Sequence, residues 1–292
     1  MHACLRSVRP DILVTHGKPT GLWGRLAARR VRVPAVVMVH GLHYAYRQPI
    51  SSVYLALERH LARHTAAIIH LSESQRLEAL SLGIRSARDV VIPNGVDVEA
   101  LRKEALTRAN ARRVLNLPAG QIVLGAVARL DPVKQTDVLV EMMIHLSEAH
   151  RLVVVGDGAE RARLERVVIE CRIGHNVQFV GELANAARLL LAFDLFVTAS
   201  AKEGCPLALL EAMALGLPVV ASDISAHREI LGLSPQLAPG QPAPMAEQVR
   251  WLLRTGPALR ERLGAQNVVT VREQFSLEAM VAAHRKLYEE VA

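Results

Sequence analysis

The sequence predicts an α/β fold made of two doubly wound domains with parallel sheets. Two observations lead to this expectation: short apolar runs alternate with longer helical patterns, and the same rhythm restarts after residue 120. The runs are continuous rather than alternating, which is typical of strands buried on both faces of a parallel sheet. A chain of 292 residues that is 51% hydrophobic has enough apolar material for two cores.

The predicted strands form two series, and each strand is followed by a turn or a polar segment. In the first half of the chain they cover residues 11–15, 35–39, 67–70 and 90–92. In the second half they cover residues 122–127, 152–155, 177–180, 195–198 and 218–221. This repeated alternation favours two separate sheets over one large one.

Breaks in composition separate the two series. Pro93-Asn94-Gly95 is a turn, residues 101–115 are a charged helical stretch, and Leu117-Pro118-Ala119-Gly120 is a second breaker. We therefore expect an N-terminal domain over residues 1–105 and a C-terminal domain over residues 106–275. Residues 276–292 are expected to form an amphipathic helix that packs back toward the N-terminal domain, with Met280, Ala283, Leu287 and Val291 near one face.

The charge of the chain indicates anionic partners. A net charge of +7, from 35 Lys and Arg against 28 Asp and Glu, suits nucleotide phosphates or acidic lipid headgroups. Only 3% of the residues are aromatic and none is interleaved with basic runs, so single-stranded nucleic acid is a poor fit.

The sequence also predicts a cytoplasmic protein, at most peripheral at the inner face of the membrane. No apolar run approaches the roughly 18 to 20 residues of a membrane span. The start, Met1-His2-Ala3-Cys4, opens no signal peptide, and Cys4, Cys171 and Cys205 have no paired spacing.

The segment at residues 202–222 holds two carboxylates in an unusual setting. Glu211 is the one charged residue within the apolar stretch 207–217, where a carboxylate is costly unless it accepts hydrogen bonds. A ribose diol would supply two donors. Glu203 is expected in the loop after the strand 195–198, and Pro206 in the first turn of the following helix, whose free N–H groups make an anion site. Gly204 would let a ligand approach the backbone closely.

Other motifs are absent or incomplete. No two Asp residues stand two apart, and neither His-Glu-x-x-His nor Cys-x-x-Cys occurs, so the patterns of common metal sites are missing. Gly17-Lys18-Pro19-Thr20 resembles the end of a P-loop, but Ile12 stands where that loop needs its first Gly. Cys205 has no evident partner base and is interpreted as a small loop residue.

These motifs together resemble the retaining glycosyltransferases of family 4. The segment from Glu203 to Glu211 is similar to their Glu-x7-Glu motif. The resemblance extends over essentially the whole chain, through Gly125-Ala126-Val127-Ala128-Arg129-Leu130-Asp131-Pro132-Val133-Lys134, Val154-Val155-Gly156-Asp157-Gly158, Pro93-Asn94-Gly95-Val96-Asp97 and Val39-His40-Gly41. It implies the GT-B fold, in which two Rossmann-like domains face a cleft.

The resemblance also implies roles for individual residues. Arg129 and Lys134 match the basic pair that holds the donor diphosphate, and Glu211 matches the residue that binds the ribose. Glu203 matches the carboxylate at the donor sugar, and His40 matches a histidine that reaches this sugar from the N-terminal domain. Gly204, Cys205, Pro206 and Leu207 would lie near the sugar and the phosphate. All of them except Pro206 have a backbone N–H group that could donate to the donor substrate.

The chain departs from the family at its start. Only nine residues precede Pro10, where family members usually have a further strand and a glycine-rich loop, so the N-terminal domain is expected to be incomplete. The residues leave two interpretations open: a shortened form, or a protein whose true start lies upstream. Ala128 and Gln135 also stand where the family usually has glycine.

The resemblance implies metal-independent transfer of a sugar from a nucleotide diphosphate donor, expected to be a UDP-sugar, to a hydroxyl of a glycan or lipid-linked glycan. Retention without a protein nucleophile implies that the leaving phosphate assists the incoming hydroxyl. Residues 18–46 are similar to exopolysaccharide and capsule transferases. The alternatives are a catalytically impaired fragment, a partner subunit that binds nucleotide-sugar, and a GT-B nucleotide-sugar 2-epimerase. No cofactor is expected beyond the nucleotide-sugar co-substrate.

Overall fold

The structure, a computed structural model, describes residues 2–40, 50–118 and 120–292. The chain folds into two compact units: a first unit of Met1–Asn94 with Glu278–Ala292, and a second unit of Gly95–Leu277. Gly41, with the rest of the 18–46 segment beyond His40, lies outside the described residues, as does Ala119 of the predicted breaker.

The first unit contains a sheet of four parallel strands. They are β1 (Leu13–His16), β2 (Ala35–Val39), β3 (Ala67–His70) and β4 (Asp89–Val91), paired in the order β1-β2-β3-β4. Each strand corresponds to a predicted apolar run. The helices of the first unit up to β4 are α1 (His2–Val8), α2 (Lys18–Val31), α3 (Ile50–Ala62) and α4 (Glu73–Ser81).

Helices α2, α3 and α4 cover one face of this sheet. Thr15, Val37 and Ile68 stand in register on adjacent strands, so their side chains share a face. Gly21 of α2 lies against Thr15 and Val37, while Ile68 packs in a cluster with Ala62 and Ala79 of α3 and α4. Helix α13 (Leu277–Val291), from Glu278 onward, belongs to the same unit, and Met38 shares a cavity with its Met280, Val281 and His284.

The second unit contains a sheet of six parallel strands in the order β10-β9-β8-β5-β6-β7. The strands are β5 (Ile122–Val127), β6 (His150–Val155), β7 (Val177–Gly181), β8 (Leu195–Thr198), β9 (Val219–Ser222) and β10 (Leu237–Ala238). The chain enters this sheet at β5, continues outward through β6 to β7, and then returns to form β8 on the other side of β5. The carboxyl ends of β5 and β8 therefore form a topological switch point, where open α/β sheets bind their ligands.

The described part of the second unit has eight α-helices, four of which lie between successive strands in the chain. They are α5 (Val98–Glu104), α6 (Arg108–Val114), α7 (Thr136–Met142), α8 (Arg161–Glu170), α9 (Leu207–Ala214), α10 (Ser225–Leu231), α11 (Pro242–Arg254) and α12 (Pro257–Gln274). Short 3-10 turns occupy Pro132–Lys134, Met143–His145 and Ala186–Ala192. The apolar core lies between the sheet and these helices, with Leu124, Leu152 and Val220 at 0% exposure.

The helical stretch predicted over residues 101–115 is not continuous. Helix α5 ends at Glu104, and α6 starts again after Thr107, whose hydroxyl accepts a hydrogen bond from the backbone N–H of Asn110. Two arginines of α6, Arg108 and Arg112, hold opposite oxygens of Asp194 at 2.6 and 2.9 Å. Helix α6 thus presents both arginines to Asp194. No local sequence signal specifies this double ion pair.

Candidate functional site

Two loops meet at the switch point of the second sheet. After β5 the chain makes the 3-10 turn Pro132–Lys134, and Gln135 then takes a left-handed conformation (φ 45°) before α7 begins. After β8, the backbone N–H of Ala201 donates to the carbonyl of Val133 at 2.9 Å. This bond fastens the second loop to the first, so residues that follow Ala201 lie beside those that follow Val133.

Lys134 and Glu203 form an ion pair at this junction. Lys134 Nζ lies 2.6 Å from Glu203 Oε1, and the two side chains are only 20% and 11% exposed. A short, charge-assisted hydrogen bond with little solvent around it is stronger than a surface pair. The structure thus brings together two of the predicted site residues that stand 69 positions apart in the chain.

The segment after Glu203 leads directly into α9. Gly204 and Cys205 are buried, Pro206 occupies the N-cap position, and Leu207 is the first helical residue, 47% exposed. Proline has no side-chain oxygen to cap the helix, and the first N–H groups of a helix lack intrahelical partners. These N–H groups remain available as donors to an anion.

Glu211 lies on α9, one turn beyond the start of this helix, and is half-buried. Desolvation by burial raises the pKa of its carboxyl group above the ordinary value of 4.5. The carboxylate therefore carries a cost in the ligand-free protein that hydrogen-bond donors from a ligand would offset.

The first prediction concerns this cost. Below pH 4.5 both folded and unfolded Glu211 are protonated, whereas at higher pH the unfolded carboxyl ionises first, so the free energy of unfolding falls as the pH rises. We expect Glu211→Gln to unfold at higher denaturant concentration than the wild type at pH 7 and at an equal concentration near pH 3. Glu247 is exposed, so the matched variant Glu247→Gln should not gain stability at pH 7, and a Glu211→Gln protein less stable than the wild type at pH 7 would contradict the burial argument.

Arg129 follows β5 on the same loop but makes a different contact. Its side chain is 81% exposed, and Nη2 lies 2.9 Å from Oδ2 of Asp131. The structure thus places Arg129 near the site without pairing it with Lys134 or Glu203. Its guanidinium is accessible to a ligand at the carboxyl ends of the strands.

A cavity of about 420 Å³ opens beside Arg129. The loops after β5, β6 and β7 line it, including Ala128, Gly156, Asp157, Glu182 and Leu183. Gly156 has φ +137°, and a Cβ atom there would stand 1.9 Å from the carbonyl oxygen of Ala128. Glycine therefore allows the β6 loop to lie against the β5 loop.

Asp157, next to Gly156, serves the turn itself. Its Oδ1 accepts the backbone N–H of Gly158 at 2.7 Å, and its carbonyl accepts the N–H of Leu130 at 2.9 Å. The contact with Leu130 connects the β6 loop to the β5 loop a second time.

The structure adds one residue that the sequence did not indicate. His227 of α10 is fully buried, and its Nδ1–H donates to the carbonyl of Ser222 at 2.7 Å. Burial lowers its pKa most strongly; the hydrogen bond to Ser222 and the charge of Glu203 oppose this, while Lys134 lowers the pKa further. A neutral imidazole thus lies within electrostatic range of the ion pair. Its position just beyond the end of β9 was the available signal.

His40 belongs to the first unit, at the end of β2. Its Nε2 lies 3.1 Å from Nδ1 of His16, and the two rings stack with centroids 5.3 Å apart. Burial and then the neighbouring His16 lower its pKa. Both rings line a cavity of about 630 Å³, together with Met38, His284 and Tyr288.

Neither a metal cluster nor a membrane span occurs among the described residues. No group of three or more His, Cys, Asp or Glu side chains there has the arrangement of a metal site. No helix in the described ranges has the length and apolar character to cross a bilayer.

Comparison with known proteins identifies relatives of both units. An Escherichia coli protein named UDP-Gal:alpha-D-GlcNAc-diphosphoundecaprenol alpha-1,3-galactosyltransferase is 32% identical over 238 residues, covering 78% of this chain and 61% of the relative. The 2-deoxystreptamine glucosyltransferase of Streptomyces kanamyceticus is 32% identical over 249 residues, covering 80% and 64%. The chain thus spans about three fifths of the length of the curated relatives it matches.

Solved structures agree on the fold. The crystal structure of the Anabaena protein HepE in complex with UDP superposes with a TM-score of 0.84 at 20% identity, covering 99% of this chain and 82% of that one. Together with the two parallel sheets, this confirms the predicted GT-B fold of two Rossmann-like domains.

The family models match both units of the chain. The model described as Glycosyltransferase Family 4 matches residues 1–100, and the model described as Glycosyl transferases group 1 matches residues 107–267. The second match covers more than half of the 292 residues and includes the switch point with Lys134, Glu203 and Glu211. The chain therefore belongs to the group 1 glycosyl transferases, and its first unit to the family 4 type.

Proposed function

We propose that the chain transfers a sugar from a nucleoside diphosphate donor, a UDP-sugar, to a hydroxyl group of a glycan or lipid-linked glycan, with retention and without a metal. The observation that carries the proposal is the Lys134–Glu203 ion pair at the switch point, held in place by the Ala201–Val133 hydrogen bond. Family membership gives the reaction class, and this geometry supplies the charge that the reaction needs.

The donor's nucleotide is proposed to bind along the carboxyl ends of β5, β6 and β8. The cavity beside Arg129 has the size for a nucleobase, and Glu211 on α9 would accept the two ribose hydroxyls. Arg129, Lys134 and the N-terminal N–H groups of α9 would surround the diphosphate. Two cations and a helix N-terminus supply the positive charge that many other transferases obtain from a metal.

The bond changes follow from this arrangement. The bond from the anomeric carbon to the leaving phosphate oxygen breaks, and a bond from that carbon to the acceptor oxygen forms on the same face. The acceptor proton passes to the departing phosphate oxygen. Lys134 would stabilise the growing phosphate charge, while its ion pair makes Glu203 a weak nucleophile that positions the lysine and the sugar. A role for His40 at the donor sugar stays a prediction.

The relatives support the donor and acceptor classes. The name of the Escherichia coli relative specifies a UDP-sugar donor and a diphosphoundecaprenol acceptor, and the Anabaena protein of similar fold was crystallised with UDP. The net charge of +7 also suits acceptors that carry phosphate. A UDP-sugar and a lipid-linked glycan are therefore the substrates to test first.

The second prediction tests the donor site by thermal unfolding in excess EDTA, with UDP, GDP, ADP and their sugars. Binding to the folded state raises the melting temperature, and a ligand at 100 times its Kd adds about 2.7 kcal/mol. We expect UDP or a UDP-sugar to stabilise the wild type and the control Glu247→Ala, but not Glu211→Ala. Loss of the effect in EDTA, or equal stabilisation of Glu211→Ala, would overturn the assignment.

Turnover separates transfer from its alternatives. A transferase releases UDP much faster with an acceptor than with water alone, whereas a 2-epimerase produces an epimerised sugar nucleotide without acceptor. Nucleotide binding with no turnover, restored by a companion protein or a longer chain, would identify a partner subunit or a fragment.

A further inference from the structure

The net charge of the chain lies in one of its two units. Residues of the first unit include 15 Lys and Arg against 8 Asp and Glu, a formal charge of +7, while those of the second unit include 20 of each and balance to zero. The donor site described above belongs to the balanced unit. The excess of basic residues therefore needs another explanation than donor binding.

Helices α2 and α3 carry part of this charge on their outer sides. On α2, Trp23 is 63% exposed, and Arg30 follows it by seven residues, two helical turns, so both share one side of the helix. On α3, Val53 is 67% exposed, and His60 follows it by the same spacing. Each helix thus presents an exposed apolar side chain in line with a basic one.

The two helices form one surface. Arg25 of α2 is buried and binds both oxygens of Glu58 of α3 at 2.7 Å, which fixes the helices side by side. Nearer the solvent, Nη1 of Arg29 lies 3.5 Å from Nε2 of His60. We define the α2–α3 face by its exposed members: Trp23, Arg29, Arg30, Val53, His60, Arg63 and His64.

A histidine on this face reports its positive potential. The charge of Arg29 lowers the pKa of His64 most strongly, followed by burial, His60 and Arg63. Three of the seven members are Arg, and none is acidic. A surface that combines clustered cations with exposed tryptophan and valine has the composition of an interfacial helix pair.

We propose that the α2–α3 face docks on the anionic surface of a lipid bilayer. The cations would lie among acidic headgroups, and Trp23 and Val53 would enter the boundary between headgroups and acyl chains. A nucleic acid fits less well, because a single exposed tryptophan offers little stacking. The proposal is independent of the donor site, and it would bring the enzyme to the surface on which lipid-linked acceptors lie.

The third prediction compares two matched double variants of the full chain by sedimentation with vesicles. Trp23→Ala/Arg30→Glu alters the α2–α3 face, and Trp251→Ala/Arg254→Glu makes the same changes at exposed positions of α11 in the second unit. Vesicles contain phosphatidylcholine alone or phosphatidylcholine mixed with phosphatidylglycerol. We expect the wild type to bind only the mixed vesicles, the first variant to bind about tenfold more weakly, and the second to bind like the wild type.

Two results would overturn the proposal: absence of wild-type binding to the mixed vesicles, or an equal loss in both double variants. Heparin binding as tight as binding to the mixed vesicles, and unchanged by Trp23→Ala alone, would indicate a general polyanion surface. This result would also overturn the proposal. The UDP-induced shift in melting temperature should be the same in all three proteins. A missing shift would therefore count against the donor site, and missing vesicle binding against the α2–α3 face.

Discussion

Lys134→Ala is expected to lower the turnover number of sugar transfer by about 10²- to 10³-fold, the usual loss when a preorganised group that stabilises developing charge is removed. Lys134 Nζ lies 2.6 Å from Glu203 in a largely buried pair, so the substitution also leaves a carboxylate without its cation. In the proposed mechanism this carboxylate lies beside the phosphate whose negative charge grows. The two effects have the same sign and act on the same step.

Steady-state kinetics with the best donor and acceptor would measure this loss, and Lys103→Ala on an exposed position of α5 is the matched control. In the proposed mechanism the lysine acts on charge that grows during bond breaking, so turnover should fall more than the affinity for UDP. Glu203→Gln keeps a hydrogen-bond acceptor but removes the charge, and we expect a smaller loss than for Lys134→Ala. Unchanged turnover in Lys134→Ala would place the chemistry elsewhere.

Gly125→Ala is expected to reduce the free energy of unfolding by about 3 kcal/mol, at the upper end of the range for overpacked cores. Gly125 lies in the middle of β5, and a Cβ atom there would stand 1.9 Å from Cδ2 of Phe193, a ring that is 1% exposed. Either the ring or the central strand must move. Because β5 leads into the loop of Arg129 and Lys134, we expect weaker stabilisation by UDP as well.

Denaturant unfolding of a double-mutant cycle would test the steric cause. Phe193→Leu leaves a cavity when made alone, but in the Gly125→Ala background it makes room for the new methyl group. The double variant should therefore lose less free energy of unfolding than the sum of the two single losses. Gly174→Ala is the control, since the nearest atom to its Cβ would be a methyl group of Val168 at 3.8 Å. Additive costs would show that the methyl group and the ring do not compete.

Much of this fold could be predicted from the sequence because its strands are short and continuously apolar. The four strands of the first sheet and β5 to β9 of the second all correspond to predicted runs. Strand β10 was missed, since its two residues are too few to make a pattern. The break between α5 and α6 was missed although Thr107 is a common N-cap residue type, and the partner of the two arginines of α6, Asp194, is more than 80 residues away in the chain.

The candidate site was predictable only in part, for similar reasons. Glu203 and Glu211 could be noticed from their local setting, an apolar stretch that holds one carboxylate. The resemblance to a family assigned Lys134 to the donor diphosphate and Glu203 to the donor sugar, but it did not predict their ion pair, which depends on the strand order. The only sequence signal for His227 was its place just beyond the predicted strand 218–221, and its burial near the ion pair depends on how α10 follows the end of β9.

The hydrogen bond from Ala201 to Val133 has a consequence for how this unit folds. It joins loops that flank β6, β7 and α8, so the chain must close a long segment and complete the pairing of β5 with β8 before Lys134 meets Glu203. Contacts of such sequence separation form slowly, because the entropy of closure precedes any gain from the contact. We therefore expect a newly made chain to acquire its secondary structure before its ion pair, and the proposed nucleotide binding would select the molecules whose central strands have already come together.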